Sequence, residues 1–201
     1  MGIPVNLITN SDLGKNVLIN GNFDFWQRGN TATASSTGIY RADRWIGGTT
    51  GTGLASYGRN TDVPSAAQLA AANGMSALYS TELIVTTANA SLAASDRLFL
   101  SQPIEGYQWQ RAIGKQGYLS FWVKSSTPGT YWFGLSGTKD LGSGATRRYA
   151  TSYTINVANT WEFKTIDLGV IDPTFSNFNI DNTIGVYAQF TFAAGSSLQN
   201  S

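Results

Sequence analysis

The chain has 201 residues, 42% of them apolar and only 12% charged, about half the charged share of an ordinary globular domain. Thirteen basic residues against twelve acidic ones leave a net charge of +1, too little to draw in nucleic acid or an anionic membrane. There is no cysteine and no histidine, which excludes disulfides, Cys-His and Ser-His-Asp nucleophiles, and zinc held by Cys or His.

Residues 1–15 contain Pro4, Asn10, Asp12 and Gly14 without a sustained period of two or 3.6. They read as an extended arm of the kind that docks on a neighbour. No apolar run reaches signal-peptide or membrane-spanning length, so a soluble chain with no cleaved signal and no membrane insertion is expected. Val17, Leu18 and Ile19 then lead to Asn20-Gly21, and Phe23, Phe25 and Trp26 follow. That pattern predicts two short strands about a tight turn. Residues 30–37 read as a polar loop and 39–46 as a return to order. Residues 64–73 are the one expected helix, about two turns long, with Ser65 as its cap and Asn73-Gly74 as its stop.

Strands are predicted at 75–86, 96–104, 118–124, 131–135, 148–157, 161–168 and 184–192. Leu119, Phe121 and Val123 alternate with Tyr118, Ser120, Trp122 and Lys124, as in a sheet with one face inside. Ile184, Val186, Ala188, Phe190 and Phe192 share a face in the same way. Pro128-Gly129 supplies a turn. About eight to ten strands with almost no helix suit an all-β fold. The expectation is one antiparallel β-sandwich of jelly-roll type over 16–201, with the arm at 1–15 and at most one short helix.

Three groups of motifs carry a resemblance. The first is Asn16-Val17-Leu18-Ile19-Asn20-Gly21-Asn22-Phe23-Asp24-Phe25-Trp26-Gln27-Arg28-Gly29, followed by Tyr40-Arg41-Ala42-Asp43-Arg44-Trp45. The second is Gln102-Pro103-Ile104-Glu105-Gly106 with Leu119-Ser120-Phe121-Trp122-Val123-Lys124-Ser125-Ser126. The third is Thr154-Ile155-Asn156, Asn159-Thr160-Trp161-Glu162 and Phe190-Thr191-Phe192-Ala193-Ala194-Gly195-Ser196. In this order they resemble a jelly-roll module of phage tail-fibre and tail-spike proteins over residues 16 to about 196. The resemblance implies a fold similar to carbohydrate-binding jelly rolls, carried on a virion, and it implies no catalytic residue. Members of that family run on to a further strand that this sequence does not contain. Either the sequence is a piece of a longer chain, the preferred reading, or the sandwich lacks an edge beside residues 184–192, or a neighbouring subunit supplies the pairing.

Trp26 and Trp45 stand in these framework motifs beside alternating apolar residues and are expected in the core. Arg28, Asp43, Arg44 and Glu105 are expected in hydrogen-bonded ion pairs that fix the opening segment. The ligand candidates are aromatics out of phase with the inward pattern: Trp122, Trp132, and Tyr107 with Trp109 in a polar loop after Gly106. If 118–124 and 131–135 pair across the Pro-Gly turn, Trp122 and Trp132 form a stacking platform on one face, with Lys124, Arg147 or Arg148 beside it. An oligomer interface would select the same residues.

The carboxylates Asp43, Glu82, Glu105, Glu162 and Asp167 are available to a glycosidase, but no pattern singles out a pair. A structural calcium ion stays open, with no Asp-x-Asp-x-Asp loop to assign it. The preferred reading is a non-catalytic virion protein, a tail fibre or spike, that binds host surface polysaccharide and other virion proteins. The alternatives are a purely structural or decoration protein whose sandwich makes homotypic contacts, as in a homotrimer, and a polysaccharide-degrading tail enzyme.

Overall fold

The computed structural model describes residues 5–9, 16–31, 33–72, 77–137, 148–172 and 178–198, with the backbone alone at 5–9, 33 and 148. In chain order the strands and helices are β1 (Val5–Thr9), β2 (Thr33–Ser35), β3 (Ile39–Tyr40), β4 (Ile46–Thr50), β5 (Leu54–Asn60), α1 (Ala66–Ala71) and β6 (Ser80–Thr87). There follow β7 (Arg97–Glu105), α2 (Gly106–Gln110), β8 (Gln116–Val123), β9 (Gly129–Gly137), β10 (Arg148–Ile155), β11 (Glu162–Val170), β12 (Ile184–Ala194) and a 3-10 turn at Ser196–Leu198.

Every strand pair is antiparallel. One six-stranded sheet runs in the order β10-β9-β12-β7-β4-β3, and two three-stranded sheets run β1-β8-β11 and β2-β5-β6. The layers share one core. Phe121 and Leu119 of β8, Ile166 of β11 and Tyr57 of β5 meet Phe133, Phe190 and Leu100 of the large sheet. Phe121 and Phe190 pack edge to face across the layers at 5.0 Å. Burying a side chain of this size stabilises by roughly 1.5–3 kcal/mol. The expected antiparallel β-sandwich is present. The chain changes sheet at β1 to β2, β2 to β3, β4 to β5, β6 to β7, β7 to β8, β8 to β9, β10 to β11 and β11 to β12, so the core between the layers is built from strands distant in sequence.

Several local expectations give way to tertiary constraints. The Pro128-Gly129 turn makes no hairpin, because β8 and β9 lie in different sheets. The missing edge beside residues 184–192 is not there either: β12 pairs with β7 on one side and β9 on the other, and the sheet's edges are β10 and β3. Val5–Thr9, inside the expected arm, pairs with β8 of the same chain. The polar loop at 30–37 contains β2, which pairs with the unanticipated β5. A second helix, α2, stands where a loop was expected, and Gly106 at its start is pressed against the Asn179 carbonyl so closely that a Cβ has no room. The expected helix forms, and Ser65 makes a full capping box with Gln68, satisfying two otherwise orphaned amides. Its expected stop at Asn73-Gly74 lies outside the described residues.

Residues 17–26 are not strands. Asn20 and Phe23 take φ of +53° and +56°, unusual for a bulky residue such as Phe. The conformation is held because Phe23 is fully buried 5.2 Å from Trp45. Side chains also replace the ladder here. Gln102 Nε2 donates to the Ile19 carbonyl at 2.7 Å and Gln102 Oε1 accepts from Ile19 N–H at 2.8 Å. Trp45 Nε1 donates to the Asn20 carbonyl at 3.1 Å, and Asn20 Nδ2 donates to the carbonyls of Phe25 and Asp43. Leucine in place of Gln102 (Gln102→Leu) leaves both Ile19 groups without their partner. We expect a loss of roughly 2–4 kcal/mol in urea unfolding; an unchanged midpoint would show that the opening segment is held by its apolar contacts alone.

Candidate functional site

Alternation along the six-stranded sheet sends Phe133, Leu135, Val186, Ala188 and Phe190 into the core, so their neighbours in sequence face outward. Register then arranges the outer face in rows. Trp132 of β9, Thr191 of β12 and Phe99 of β7 form one row. Gly134, Gln189 and Ser101 form the next, extended by Ala150 of β10 and Ile46 of β4. Ser136 and Tyr187 begin the third. Trp132 and Phe99 in the first row and Tyr187 in the third stand on either side of Gly134, Ala150 and Ser101 in the middle row, and the result is a groove of about 330 Å³. That volume is at the small end of ligand sites.

The walls have clear origins. Trp132 is 45% exposed and stands at one side. Phe99 and Ile46 lie beneath Gly38, where a Cβ would come within 2.8 Å of both side chains. The guanidinium of Arg97 lies over the Phe99 ring, 4.7 Å from its centre. Leu198 closes one end, its 3-10 turn tied down by the Gly195 N–H to the Asp96 carbonyl at 2.8 Å and the Ser197 N–H to the Ala94 carbonyl at 3.1 Å.

The polar groups of the groove are hydroxyls, an amide and one guanidinium. Ser101 is 2% exposed and its hydroxyl has no hydrogen-bond partner in the protein. A buried hydroxyl left in that state costs about 1–3 kcal/mol. Gln189 Nε2 donates to Thr191 Oγ1 at 3.0 Å, leaving the Gln189 carbonyl oxygen on the outer face. Burial, with the nearby Tyr40, raises the Tyr187 phenol above its ordinary value despite the opposing pull of Arg97, so it remains a neutral donor.

The sequence-predicted residues scatter around this site. Trp132 lines the groove. Trp122 does not share its face: it lies in the other layer, 5% exposed, packed with Leu69, Ala72 and Trp161 beneath α1 and 5.3 Å from Phe163. Lys124 is ion-paired with Asp62 on that side, and Asp62 also accepts from Trp161 Nε1 at 3.0 Å. Trp109 is 1% exposed and belongs to the main core, so it is closed to a ligand. Tyr107 is exposed on α2 away from the groove. Arg148 pairs in register with Ser136, Arg147 lies outside the described residues, and the side chain of Arg148 is likewise not described.

The framework set divides. Trp45 is fully buried, whereas Trp26 is partly buried, with its ring 6.3 Å from that of Tyr57. Arg44 pairs with Glu105 at 3.0 Å, Arg28 lies over the Tyr40 ring at 5.1 Å, and Asp43 accepts from the Gln27 N–H at 3.2 Å. Ser101, Gln189 and Tyr187 were missed, because their alternation with core residues marks them only as outward-facing until the strand order is known.

None of the candidate carboxylates Asp43, Glu82, Glu105, Glu162 and Asp167 lines the groove. Asp167 accepts from Gln116 and from the Gly169 N–H. Glu162 clasps the turn between β10 and β11, accepting the N–H groups of Asn156 and Val157 at 2.8 Å each and the Lys164 ammonium at 2.6 Å. Among the described residues no three carboxylates converge to hold a metal ion, and no helix is long and apolar enough to cross a membrane.

No family model and no curated protein matches this sequence. Among solved structures, the enzymatically active domain of tailspike protein 4 of bacteriophage CBA120 is similar over 76% of this chain, with a TM-score of 0.47 and 18% identity. This chain spans 17% of that one.

The Glu162 clasp has a measurable pH signature. Burial alone would raise its carboxyl, but the Lys164 ammonium and the Val157 and Asn156 donors outweigh it and hold the carboxyl down, from 4.5 to about 2. A carboxyl depressed by folding contributes stability above its unfolded value, and that contribution fades as the pH falls from about 4.5 toward 2. Glu162→Gln should therefore lower the melting temperature most at neutral pH, and the gap from the unmodified chain should close across that acid window. A gap that is constant with pH would remove the charge-based account of this turn.

Proposed function

We propose that this chain is a non-catalytic module of a bacteriophage appendage, a tail fibre or spike, that recognises a host surface polysaccharide in the groove on the outer face of its six-stranded sheet. The observation that carries the reading is an exposed indole, Trp132, lining the same groove as the buried, unpartnered hydroxyl of Ser101. An indole face stacks on the C–H face of a pyranose ring, and hydroxyl and amide groups at the floor fix its orientation. The phage setting is supported by the motif resemblance over residues 16 to about 196. A binding role, rather than hydrolysis, is supported by the absence of any Asp or Glu among the described residues lining the groove, since a glycosidase ordinarily brings two carboxylates to the scissile bond.

A structural role in subunit contacts has its own supporting surface. Ile84 and Val85, both about half exposed, lie on β6, an edge strand of the β2-β5-β6 sheet, and Leu78, 70% exposed, lies just before it. Exposed apolar residues at a sheet edge favour pairing with another subunit. The two roles use different faces and coexist in one particle protein.

A panel of bacterial surface polysaccharides tests the reading, with binding measured for the unmodified chain and two tryptophan variants. Trp132→Ala should cost about 2 kcal/mol of binding, roughly 30-fold in Kd, because one aromatic anchor dominates a site of this size. Its fold should melt nearly unchanged, since the side chain is half exposed. Trp122→Ala should instead destabilise the fold by about 3–5 kcal/mol. Unaltered glycan binding by Trp132→Ala would sink the groove as the recognition site.

A further inference from the structure

The charge inventory of the groove narrows the class of saccharide, on the premise that the groove is the glycan site. Neutral sugars are usually gripped through pairs of neighbouring hydroxyls, and the group that best accepts both protons is a carboxylate. Among the described lining residues there is none. Arg97 is the one charged side chain on that lining, and its guanidinium is flanked by the Phe99 ring at 4.7 Å. A guanidinium with one face against an aromatic ring is poorly hydrated, and its planar fork matches the two oxygens of a carboxylate. Ser101 adds a buried hydroxyl with no protein acceptor. Tyr187 adds a phenol that stays protonated. The described lining thus offers hydroxyl donors and one positive charge, with no carboxylate to repel a negative ligand.

We propose that the groove selects a carboxylate-bearing saccharide, such as a uronic-acid residue, over its neutral counterpart, with Arg97 receiving the carboxylate while the sugar ring lies on Trp132.

The test alters the ligand before the protein. Glycans bound in the panel are sorted by whether they carry carboxyl groups, and a bound acidic polysaccharide is then carboxyl-reduced to its neutral form. Reduction should weaken binding about tenfold or more, the size expected from losing a charge-assisted hydrogen-bonded pair. Arg97→Met should bind the native and reduced polysaccharides equally, and Arg97→Lys should retain part of the preference. Circular dichroism and melting of each variant separate lost recognition from lost fold, and the ligand-reduction arm needs no variant at all. Equal binding of native and reduced polysaccharide, or a bound set made up of neutral glycans, overturns the acidic-sugar assignment while leaving the groove a glycan site. No binding to any member of the panel removes the glycan reading itself, and this inference with it.

Discussion

The side-chain amide of Gln102 completes the fold at the point where the backbone cannot. It exchanges both of its hydrogen-bonding functions with the backbone of Ile19, doing for the opening segment what a neighbouring strand would otherwise do. From that clamp a chain of dependence runs outward. The pinned segment places the Asn20 carbonyl under Trp45 Nε1 and packs Phe23 against the Trp45 ring. Trp45 leads directly into β4, whose first residue, Ile46, pairs with Ser101. Ser101 and Gln102 are adjacent on β7 and point to opposite faces. One floors the outer groove while the other fastens the inner framework, so a shift of β7 by one position would lose both.

The groove exists because the outer face of a packed sheet is covered only in places. Gly134, Ala150 and Ser101 are too small to fill the middle row, and among the described residues no helix lies over them as α1 lies over Trp122 in the other layer. A site this shallow, with one indole and a few donors, has a modest affinity ceiling. On the proposed appendage role, strength would come from repetition of the module.

Much of the architecture was legible in residue order. The alternations at 118–124, 131–135 and 184–192 mark β8, β9 and β12, because a half-buried strand with a polar outer face has a period that nothing else mimics. The Ser65 cap marked α1, and the framework motifs marked Trp45 as core. β5 was illegible because Ala55 and Tyr57 are separated by Ser56 and followed by Gly58, leaving too little apolar contrast. Trp122 misled for a different reason. Alternation tells which face a residue occupies, but not whether another element covers that face. The Pro-Gly turn misled in the same way, since a turn that ends a hairpin and one that changes layer use the same residues. The groove depended on strand order, a non-local property: Trp132, Thr191 and Phe99 become neighbours only once β9, β12 and β7 are adjacent.

The crossings between layers also set a timetable. β8 is paired on one side by β1, with Val5 opposite Phe121, and on the other by β11, so one partner precedes it by over a hundred residues and the other follows after two intervening strands. The first pairing closes a loop of more than a hundred residues before any hydrogen bond repays the entropy lost. Such a topology folds slowly, on the millisecond-to-second scale rather than the microsecond scale of local hairpins. During that interval the apolar edges of β8 and β6 are open to other copies. At high concentration this interval is where folding and aggregation compete.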